Sequence, residues 1–485
     1  MLMKSDEKLA KPQLHEERET NTVLSRIALR LTAWMEKWFP DAFVFVLMAV
    51  FVSTIGALAI GAPAIAVVNA FGNGFWDLIP FTLQASLVVI GGYVVASSPL
   101  AARAIHWLAT IPKSGPGAVA FVAFISCTSS LLNWAFSLVF SALLVREMAR
   151  CNPRMDYRAA SAASILGLGS VWALGISSAP AQLQANAASL PPSLLSITGV
   201  IPFSETIFLW QSVTMAAILL VVSIAVAYLS APRGRHAVPA EELGIDLAVI
   251  PAPESARQRP GEWLECSRLP NLFIVAMGAT YLVMTVMAKG LFPAISNLNT
   301  YNFFFLMMGL LLHGTPRKFT HAISSATPSV AGILIQFPFY AGVAAILTHA
   351  SGPDGSTLAS GIAHAFTHVA GHNLFAPAVA VYSAVLGVLI PSGGGKWLVE
   401  APYVMQAANE VRAHLGWTVQ IYNAAEALPN LINPFWMIPV LGVVSLKARD
   451  IVGFSFLQFL VNAPLVLLMA WVFAGTLEYV APVFP

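Results

Sequence analysis

The strongest constraint on the fold is the recurrence of apolar segments about 20 residues long, the length that a helix needs to cross a bilayer. Only 10% of the 485 residues are charged and 57% are hydrophobic, whereas soluble domains carry about 25% charged residues. The sequence therefore predicts an all-α polytopic membrane protein with about nine transmembrane helices. We place these near residues 41–61, 79–98, 159–180, 206–230, 270–290, 302–314 with its flanks, 324–348, 417–446 and 452–478.

Two further segments, 117–147 and 374–411, are apolar but interrupted by small and polar residues. Cytoplasmic loops are enriched in lysine and arginine, and basic residues flank the first segment on both sides, from Arg103 and Lys113 to Arg146 and Arg150. Both flanks are therefore expected on the cytoplasmic side, which makes 117–147 a re-entrant hairpin. The extra crossing at 324–348 makes 374–411 a hairpin that enters from the opposite face.

The chain divides into two halves that resemble each other. "NWAFSLVFSALLVRE" (Asn133–Glu147) aligns with "KWLVEAPYVMQAANE" (Lys396–Glu410). An inverted repeat with broken helices is typical of secondary transporters. The predicted organisation is a cytoplasmic tail with an amphipathic interfacial helix (1–38), a first membrane repeat (39–230), a cytoplasmic linker (231–268) and a second membrane repeat (269–485). Residues 22–38 have an alternative interpretation as the start of the first span.

The two interruptions predict a binding site. Helical backbone cannot be broken against lipid, so a break must be buried in protein or line a wet cavity. "PSGGGKW" (Pro391–Trp397) allows a tight turn followed by a helix N-terminus, which attracts anions; "SCTSSLLNW" (Ser126–Trp134) supplies hydroxyl and amide groups. The alternative is that these residues serve helix packing and backbone hydrogen bonds alone. The candidate substrate-binding residues are Ser129, Ser130, Asn133, Trp134, Ser392, Gly393, Gly394, Gly395 and Lys396.

The segment after each hairpin is also irregular. "GLGSVWALGISSAP" (Gly167–Pro180) follows the first hairpin and "LPNLINP" (Leu428–Pro434) follows the second. Prolines free backbone carbonyls that can bind Na⁺, although a simple proline kink explains the pattern equally well. The candidate coupling-ion residues are Ser130, Asn133, Gly167, Ser392, Asn430 and Asn433.

Ionised residues at bilayer depth are costly and usually functional. Lys396 and Glu400 lie four residues apart, on one helix face; Lys396 could pair with a substrate carboxylate or neutralise Glu400. Glu400 or Glu426 could carry a coupling proton, or could lie near an interface. His364, His368 and His372 recur at four-residue intervals, and we expect a solvated surface there and no metal site.

At these residues the chain resembles the bacterial short-chain fatty acid transporters of the AtoE type, within the wider ion transporter superfamily. The similarity is strongest in "GNGFWDLIPF" (Gly72–Phe81), "LNWAF" (Leu132–Phe136), "AGILIQFPFYAG" (Ala331–Gly342), "PSGGGKW" and "NPFWMIPVLG" (Asn433–Gly442). The resemblance implies import of acetoacetate, butyrate and similar monocarboxylates. It also implies coupling to Na⁺ or H⁺, homodimers, and elevator-like movement of a transport domain against a scaffold. It carries Ser130, Asn133, Ser392–Gly395 and Asn430–Asn433 over as binding positions.

The sequence therefore predicts a secondary active transporter of short-chain fatty acids in the bacterial inner membrane, with a cytoplasmic N-terminus, a small carboxylate substrate and surrounding lipid as partners. Transport of dicarboxylates or amino acids, or an anion channel, are the alternatives. The chain contains neither HExxH nor GxSxG, so an intramembrane enzyme is not expected. We expect no cofactor other than the coupling ion, and a net charge of +2 gives no indication of nucleic-acid binding.

Overall fold

The computed structural model describes residues 22–38, 42–77, 79–176, 178–185, 187, 190, 192–247, 259–291, 294, 297–361, 374–389 and 393–482. These residues form an all-α fold, as the sequence predicts, with an isolated β-bridge between Ser351 and Thr357. The solvated surface predicted at three histidines lies outside the described residues; they are His364, His368 and His372.

Twenty-one α-helices follow one another along the described chain. They are α1 (Val23–Trp38), α2 (Ala42–Ala59), α3 (Ala64–Gly74), α4 (Ile79–Ala96), α5 (Pro99–Ala109), α6 (Gly115–Leu132), α7 (Trp134–Cys151), α8 (Tyr157–Ala163), α9 (Ala179–Gln184), α10 (Pro192–Thr198), α11 (Trp210–Ser230), α12 (Glu262–Glu265), α13 (Leu269–Lys289), α14 (Leu298–His313), α15 (Pro316–Ala326), α16 (Ala331–His349), α17 (Phe375–Leu389), α18 (Gly393–Glu410), α19 (Leu415–Ala427), α20 (Pro434–Val444) and α21 (Ala448–Ala474).

Six helical segments of the described chain are long and apolar enough to cross a membrane, or up to eight if each of two bent pairs forms one span. The sequence does not predict the short helices α3, α5 and α15. Helix α15 replaces the start of the segment expected at 324–348, since α16 begins only at Ala331. Short helices of this kind carry polar residues on one face, so a search for continuous apolar stretches passes over them.

Helices α6 and α7 form a helical hairpin, which we call hairpin 1. Its two helices pack on each other, and the Ser137 hydroxyl donates to the Ser126 carbonyl at 2.7 Å. The open end of the hairpin is the end opposite its tip. There Gly115 packs closely on the chain after α7, since an added Cβ would lie 2.5 Å from the Arg154 carbonyl oxygen. The start of α6 and the residues just after α7 are therefore neighbours.

Hairpin 2, formed by α17 and α18, has its open end at the other end of the molecule. The long helix α21 spans about 40 Å at 1.5 Å per residue and gives the reference direction. Arg146 of hairpin 1 donates to the Val443 carbonyl at 3.2 Å, just before α21 begins. Asn409 of hairpin 2 accepts from the Tyr479 hydroxyl at 2.9 Å, just after α21 ends. The two hairpins therefore extend into the fold from opposite ends.

Helix α1 is a separate helix and packs along α21 through small side chains. Ser25, Ala28 and Thr32 form its buried face, while Ile27 and Trp38 are exposed. Contact is close because α21 has a glycine at the crossing: a Cβ on Gly453 would lie 2.3 Å from the Thr32 nitrogen.

This crossing gives a stability prediction. Gly453→Ala should lower the melting temperature of the detergent-purified protein, since overpacking a close contact costs about 1–3 kcal/mol. Gly72→Ala is the matched control: Gly72 lies in α3 with nothing within 4 Å of an added Cβ, so alanine should leave the melting temperature equal or higher. Equal melting temperatures for the two variants would contradict the α1–α21 contact.

Candidate functional site

The tip of hairpin 1 is a single extended residue. Asn133 has φ −156° and ψ 113°, and its side-chain oxygen caps α7 by accepting from the Phe136 nitrogen at 2.7 Å. Its own nitrogen donates to the Ser129 carbonyl at 2.9 Å and so completes α6. The helix therefore breaks at Asn133 with its local backbone groups satisfied, and α7 directs its N-terminus toward the tip.

The hydroxyl groups near this tip differ in their partners. Ser129 and Thr128 donate to carbonyls one turn back in α6, at Ile125 and Phe124, which is the common behaviour of such residues inside helices. Ser130 Oγ is buried and has no partner among the described residues. Gly167 packs directly against it, since an added Cβ would lie 2.6 Å from Ser130 Cβ.

The chain after hairpin 1 is a broken helix, residues 157–184. Helix α8 continues into a π-helical turn (Gly167–Val171) and a 3₁₀ turn (Trp172–Leu174) before α9 begins. Ser178 caps α9 by accepting from the Ala181 nitrogen at 3.4 Å. Irregular turns of this kind often mark functional positions within helices.

A second broken helix, residues 415–444, follows hairpin 2. Every residue of α19 is buried. A 3₁₀ turn (Leu428–Leu431) leads to Asn433, which caps α20 by accepting from the Phe435 nitrogen at 3.0 Å. The two parts of the helix are bent by 53°. The Asn433 amide donates to the Val388 carbonyl in α17 at 3.3 Å.

The two broken helices cross at their breaks. The Asn430 amide donates to the Leu168 carbonyl at 3.4 Å. The Asn423 amide donates to the Ser178 hydroxyl at 2.7 Å and to the Ala173 carbonyl at 3.4 Å. Side chains of the second broken helix thus satisfy backbone groups that the first break exposes, which a break away from water requires.

The beginning of α18 lies against this crossing. A Cβ on Gly393 would lie 2.7 Å from the Trp172 ring, 3.2 Å from a Glu426 carboxylate oxygen and 3.3 Å from the Asn423 side-chain oxygen. Gly394 lies against α9, 3.3 Å from Ala179 Cβ by the same measure. Gly395 follows within α18, and Ser392 lies outside the described residues.

Lys396 is buried, and its ammonium donates to the Ser383 carbonyl at 2.7 Å and hydroxyl at 3.1 Å. It also lies 4.6 Å from the centre of the Tyr422 ring, a cation–π arrangement. Glu400 accepts a hydrogen bond from the Tyr422 hydroxyl. No ion pair within 4.0 Å joins Lys396 to a carboxylate of the described chain.

A small cleft of about 30 Å³ opens at the tip of hairpin 1, which is room for water and not for a whole substrate. It brings Asn133 and Trp134 together with residues that sequence reasoning missed. The full lining is Val88, Leu132, Asn133, Trp134, Gln182, Leu298 and Tyr301. The Tyr301 hydroxyl is buried without a partner in the described part of the chain. Only a polar side chain within an apolar stretch signals Gln182 in the sequence.

The described residues contain one group of three potential metal ligands, His106, Glu147 and Cys151, whose ligand atoms lie within 4.8 Å of one another. The Glu147 carboxylate already binds His106 at 2.8 Å and Arg150 at 2.6 Å. A metal ion would have to displace the Arg150 guanidinium, so this cluster is an ion-pair network at the protein surface.

Comparison with known proteins identifies the family. The family model "Short chain fatty acid transporter" matches residues 23–474. Two curated relatives, from Escherichia coli (strain K12) and Haemophilus influenzae (strain ATCC 51907 / DSM 11121 / KW20 / Rd), are each named "Putative short-chain fatty acid transporter" and are each 32% identical to this chain. The alignments cover 89% of this chain and 96% of the first relative, and 91% and 98% for the second.

Among solved structures, the chain is similar to the Alcanivorax borkumensis YdaH transporter, with a TM-score of 0.48, 16% identity, and coverage of 90% of this chain and 98% of that one. Neisseria gonorrhoeae MtrF gives a TM-score of 0.47 and 14% identity, covering 94% and 100%. The family assignment rests on the sequence matches, which include both hairpins and both broken helices: the chain belongs to the short-chain fatty acid transporter family, a family of membrane transporters and not of enzymes.

Proposed function

We propose that this protein is a secondary active transporter that carries short-chain monocarboxylates, such as acetoacetate or butyrate, across the bacterial inner membrane in symport with Na⁺ or H⁺. The observation that carries the proposal is the family match from residue 23 to residue 474. Buried polar atoms without partners in the described chain lie at both breaks and support it.

An anion suits the site because two long helices begin there. Helix α7 starts at Trp134 and α18 starts at Gly393, and a helix N-terminus carries about half a positive charge together with free N–H groups. Asn133 adds an amide hydrogen-bond donor, and the buried Lys396 adds a positive charge. We propose that the substrate carboxylate contacts the tips through Ser129, Ser130, Asn133, Trp134, Ser392–Gly395 and Lys396. If the coupling ion is Na⁺, it would use Ser130, Asn133, Gly167, Ser392, Asn430 and Asn433.

The opposite directions of the hairpins support the predicted topology. We propose that hairpins 1 and 2 are re-entrant, lie in two inverted repeats (39–230 and 269–485), and belong to a transport domain that moves as an elevator in a homodimer. Arg146 donates to the Asp246 carbonyl at 2.7 Å and Arg150 to the Leu247 carbonyl, so the linker and the open end of hairpin 1 form one basic end. The positive-inside rule puts this end, and with it the N-terminus, in the cytoplasm.

The proposal is tested with purified protein in proteoliposomes. Labelled acetoacetate should exchange against unlabelled acetoacetate, butyrate and other short monocarboxylates, with protein-free vesicles subtracted because neutral short acids cross lipid unaided. Separate inward Na⁺ and H⁺ gradients identify the coupling ion. Exchange only with dicarboxylates or amino acids would reassign the substrate, and flux without saturation or counterflow would indicate a channel.

Adding a negative charge to the cleft should impair anion uptake without unfolding the tip. Asn133→Asp keeps an oxygen that can cap α7 but places a charge beside the proposed carboxylate, so we expect at least a tenfold rise in half-saturation concentration, a difference of about 1.4 kcal/mol. Asn152→Asp, at the other end of the same helix, is the control and should behave as wild type. Equal affinities for both variants would exclude Asn133 from the site.

The neighbouring glycines of α18 should differ in their tolerance. Gly393→Ala puts a Cβ 2.7 Å from the Trp172 ring, whereas in Gly394→Ala the nearest atom is Ala179 Cβ at 3.3 Å. Acetoacetate uptake should therefore be strongly reduced in Gly393→Ala and largely retained in Gly394→Ala, with both proteins monodisperse in detergent. The reverse order would argue against the packing of this tip on the first broken helix.

A further inference from the structure

Two buried oxygen atoms face the same point beside Gly393. One is an amide oxygen and the other a carboxylate oxygen, and both accept hydrogen bonds; only the carboxylate can donate, and only when it is protonated. They are Glu426 Oε2 and Asn423 Oδ1, and neither has a hydrogen-bond partner among the described residues. Both side chains are at most 1% exposed. A Cβ placed on Gly393 would lie 3.2 Å from the first oxygen and 3.3 Å from the second. The pair is thus close enough for one donor to satisfy both atoms, directly or through a water molecule.

The orientation of the Asn423 amide is fixed by its other contacts. Its nitrogen lies 2.7 Å from the Ser178 hydroxyl and 3.4 Å from the Ala173 carbonyl oxygen. A carbonyl oxygen only accepts hydrogen bonds, so the amide nitrogen must face Ala173. The amide oxygen therefore faces Gly393 and Glu426, where an acceptor would oppose a carboxylate oxygen if nothing lay between them.

The charges around Glu426 also require one more positive charge. Helix α18 contributes Lys396 and Glu400, and α21 has no charged residue between Asp450 and Glu478. Tyr382 and Tyr422 are the other titratable neighbours of the Glu400 carboxylate. Ser178 and Trp172, which also lie beside Asn423 and Gly393, carry no charge. One lysine thus stands against two buried carboxylates, and burying an uncompensated charge is expensive.

The two carboxylates are not equivalent. Glu400 accepts a hydrogen bond from the Tyr422 hydroxyl, and such a bond stabilises the charged form. Glu426 Oε2 receives no donor from the described chain. The charge count and the hydrogen bonds therefore agree that Glu400 is the ionised carboxylate and that Glu426 needs an added cation.

We propose that Glu426 binds the coupling proton of the transport cycle. The carboxylate takes one proton from water on the side where substrate binds, donates the resulting O–H toward Asn423 Oδ1, and returns the proton to water on the other side. A proton needs a single acceptor, whereas Na⁺ needs a shell of several oxygen ligands, and here the Trp172 ring and the Gly393 backbone occupy the adjacent space. This inference rests on the proposed function as a carboxylate symporter.

The position explains how a proton couples to substrate movement. Protonated Glu426 leaves the pocket neutral and is linked, through Asn423, to the cap of α9 at Ser178, on the surface against which Gly393 of hairpin 2 packs. Loss of the proton leaves a second negative charge near Glu400, which disfavours the closed packing of Gly393 on this surface. Because a monocarboxylate anion and one proton move together, transport is electroneutral.

The test uses the full-length protein in proteoliposomes with acetoacetate and a pH-sensitive dye inside the vesicles. Wild type should accumulate acetoacetate under an inward proton gradient, take up one proton per acetoacetate, and need no Na⁺. Glu426→Gln mimics the protonated side chain, so it should retain acetoacetate exchange within about twofold while losing gradient-driven accumulation. Glu410→Gln, at the exposed C-terminal end of the preceding helix α18, is the control and should accumulate as wild type does.

The outcomes separate the two levels of the proposal. No exchange of any monocarboxylate by wild type would overturn the proposed function itself. Exchange driven by Na⁺ alone, or gradient-driven accumulation that persists in Glu426→Gln, would overturn only the assignment of the proton to Glu426. If Glu426→Gln does not fold, infrared spectra of wild type and Glu426→Asp decide: a pH-dependent carboxylic-acid carbonyl band that shifts in the variant supports the assignment, and its absence at every pH overturns it.

Discussion

The architecture depends on one requirement, that backbone groups released by a helix break inside a membrane must find partners within the protein. The two broken helices meet this requirement by crossing each other. Asn430 donates to the Leu168 carbonyl, and Asn423 donates to the Ala173 carbonyl and to the hydroxyl that caps α9. Each break is therefore tolerated because the other lies beside it, and the two halves of the chain cannot form their breaks independently.

The close approach of hairpin 1 to the first broken helix depends on glycine. A Cβ on Gly175 would lie 2.3 Å from the Leu131 carbonyl oxygen, and one on Gly167 would lie 2.2 Å from the Ser126 carbonyl oxygen. Hairpin 1 thus packs on the first broken helix through backbone contacts along α6, on the N-terminal side of its tip. Asn133 is held at the cleft by these contacts, and the tip is positioned by packing before any substrate enters.

Much of the fold could be predicted from the sequence, because apolar length and interruptions are local signals. Glycine and proline indicated the helix breaks in two segments, Gly167–Pro180 and Leu428–Pro434. The short helices α3, α5 and α15 could not be found this way, since their polar faces interrupt the apolar stretches. The arginine and lysine positions predict hairpins that enter from opposite membrane faces, and in the structure the open ends of the two hairpins lie at opposite ends of α21.

The site was less accessible to sequence reasoning, because its partners lie far apart along the chain. Lys396 and Glu400 share a helix face, yet Lys396 binds Ser383 and Glu400 binds the Tyr422 hydroxyl; both partners come from other helices. Asn423 had no motif to mark it, and its importance appears only where it meets Ser178 across 245 residues of sequence. Composition reveals that a charge is buried, whereas only the tertiary structure reveals which charge lacks a partner.

Buried polar side chains connect the first broken helix to its neighbours and also lie at the breaks. Away from the breaks, Asn462 in α21 donates to Ser170 and Ser223, and Gln458 donates to the Ser223 carbonyl, so these groups tie the first broken helix to α11 and α21. At the breaks, the oxygens of Ser130, Asn423, Asn430 and Glu426 remain without partners among the described residues. Buried polar atoms without partners are costly unless a ligand or ion supplies the missing contact. We propose that cargo and coupling ion supply these contacts, and that the tips close when both are bound.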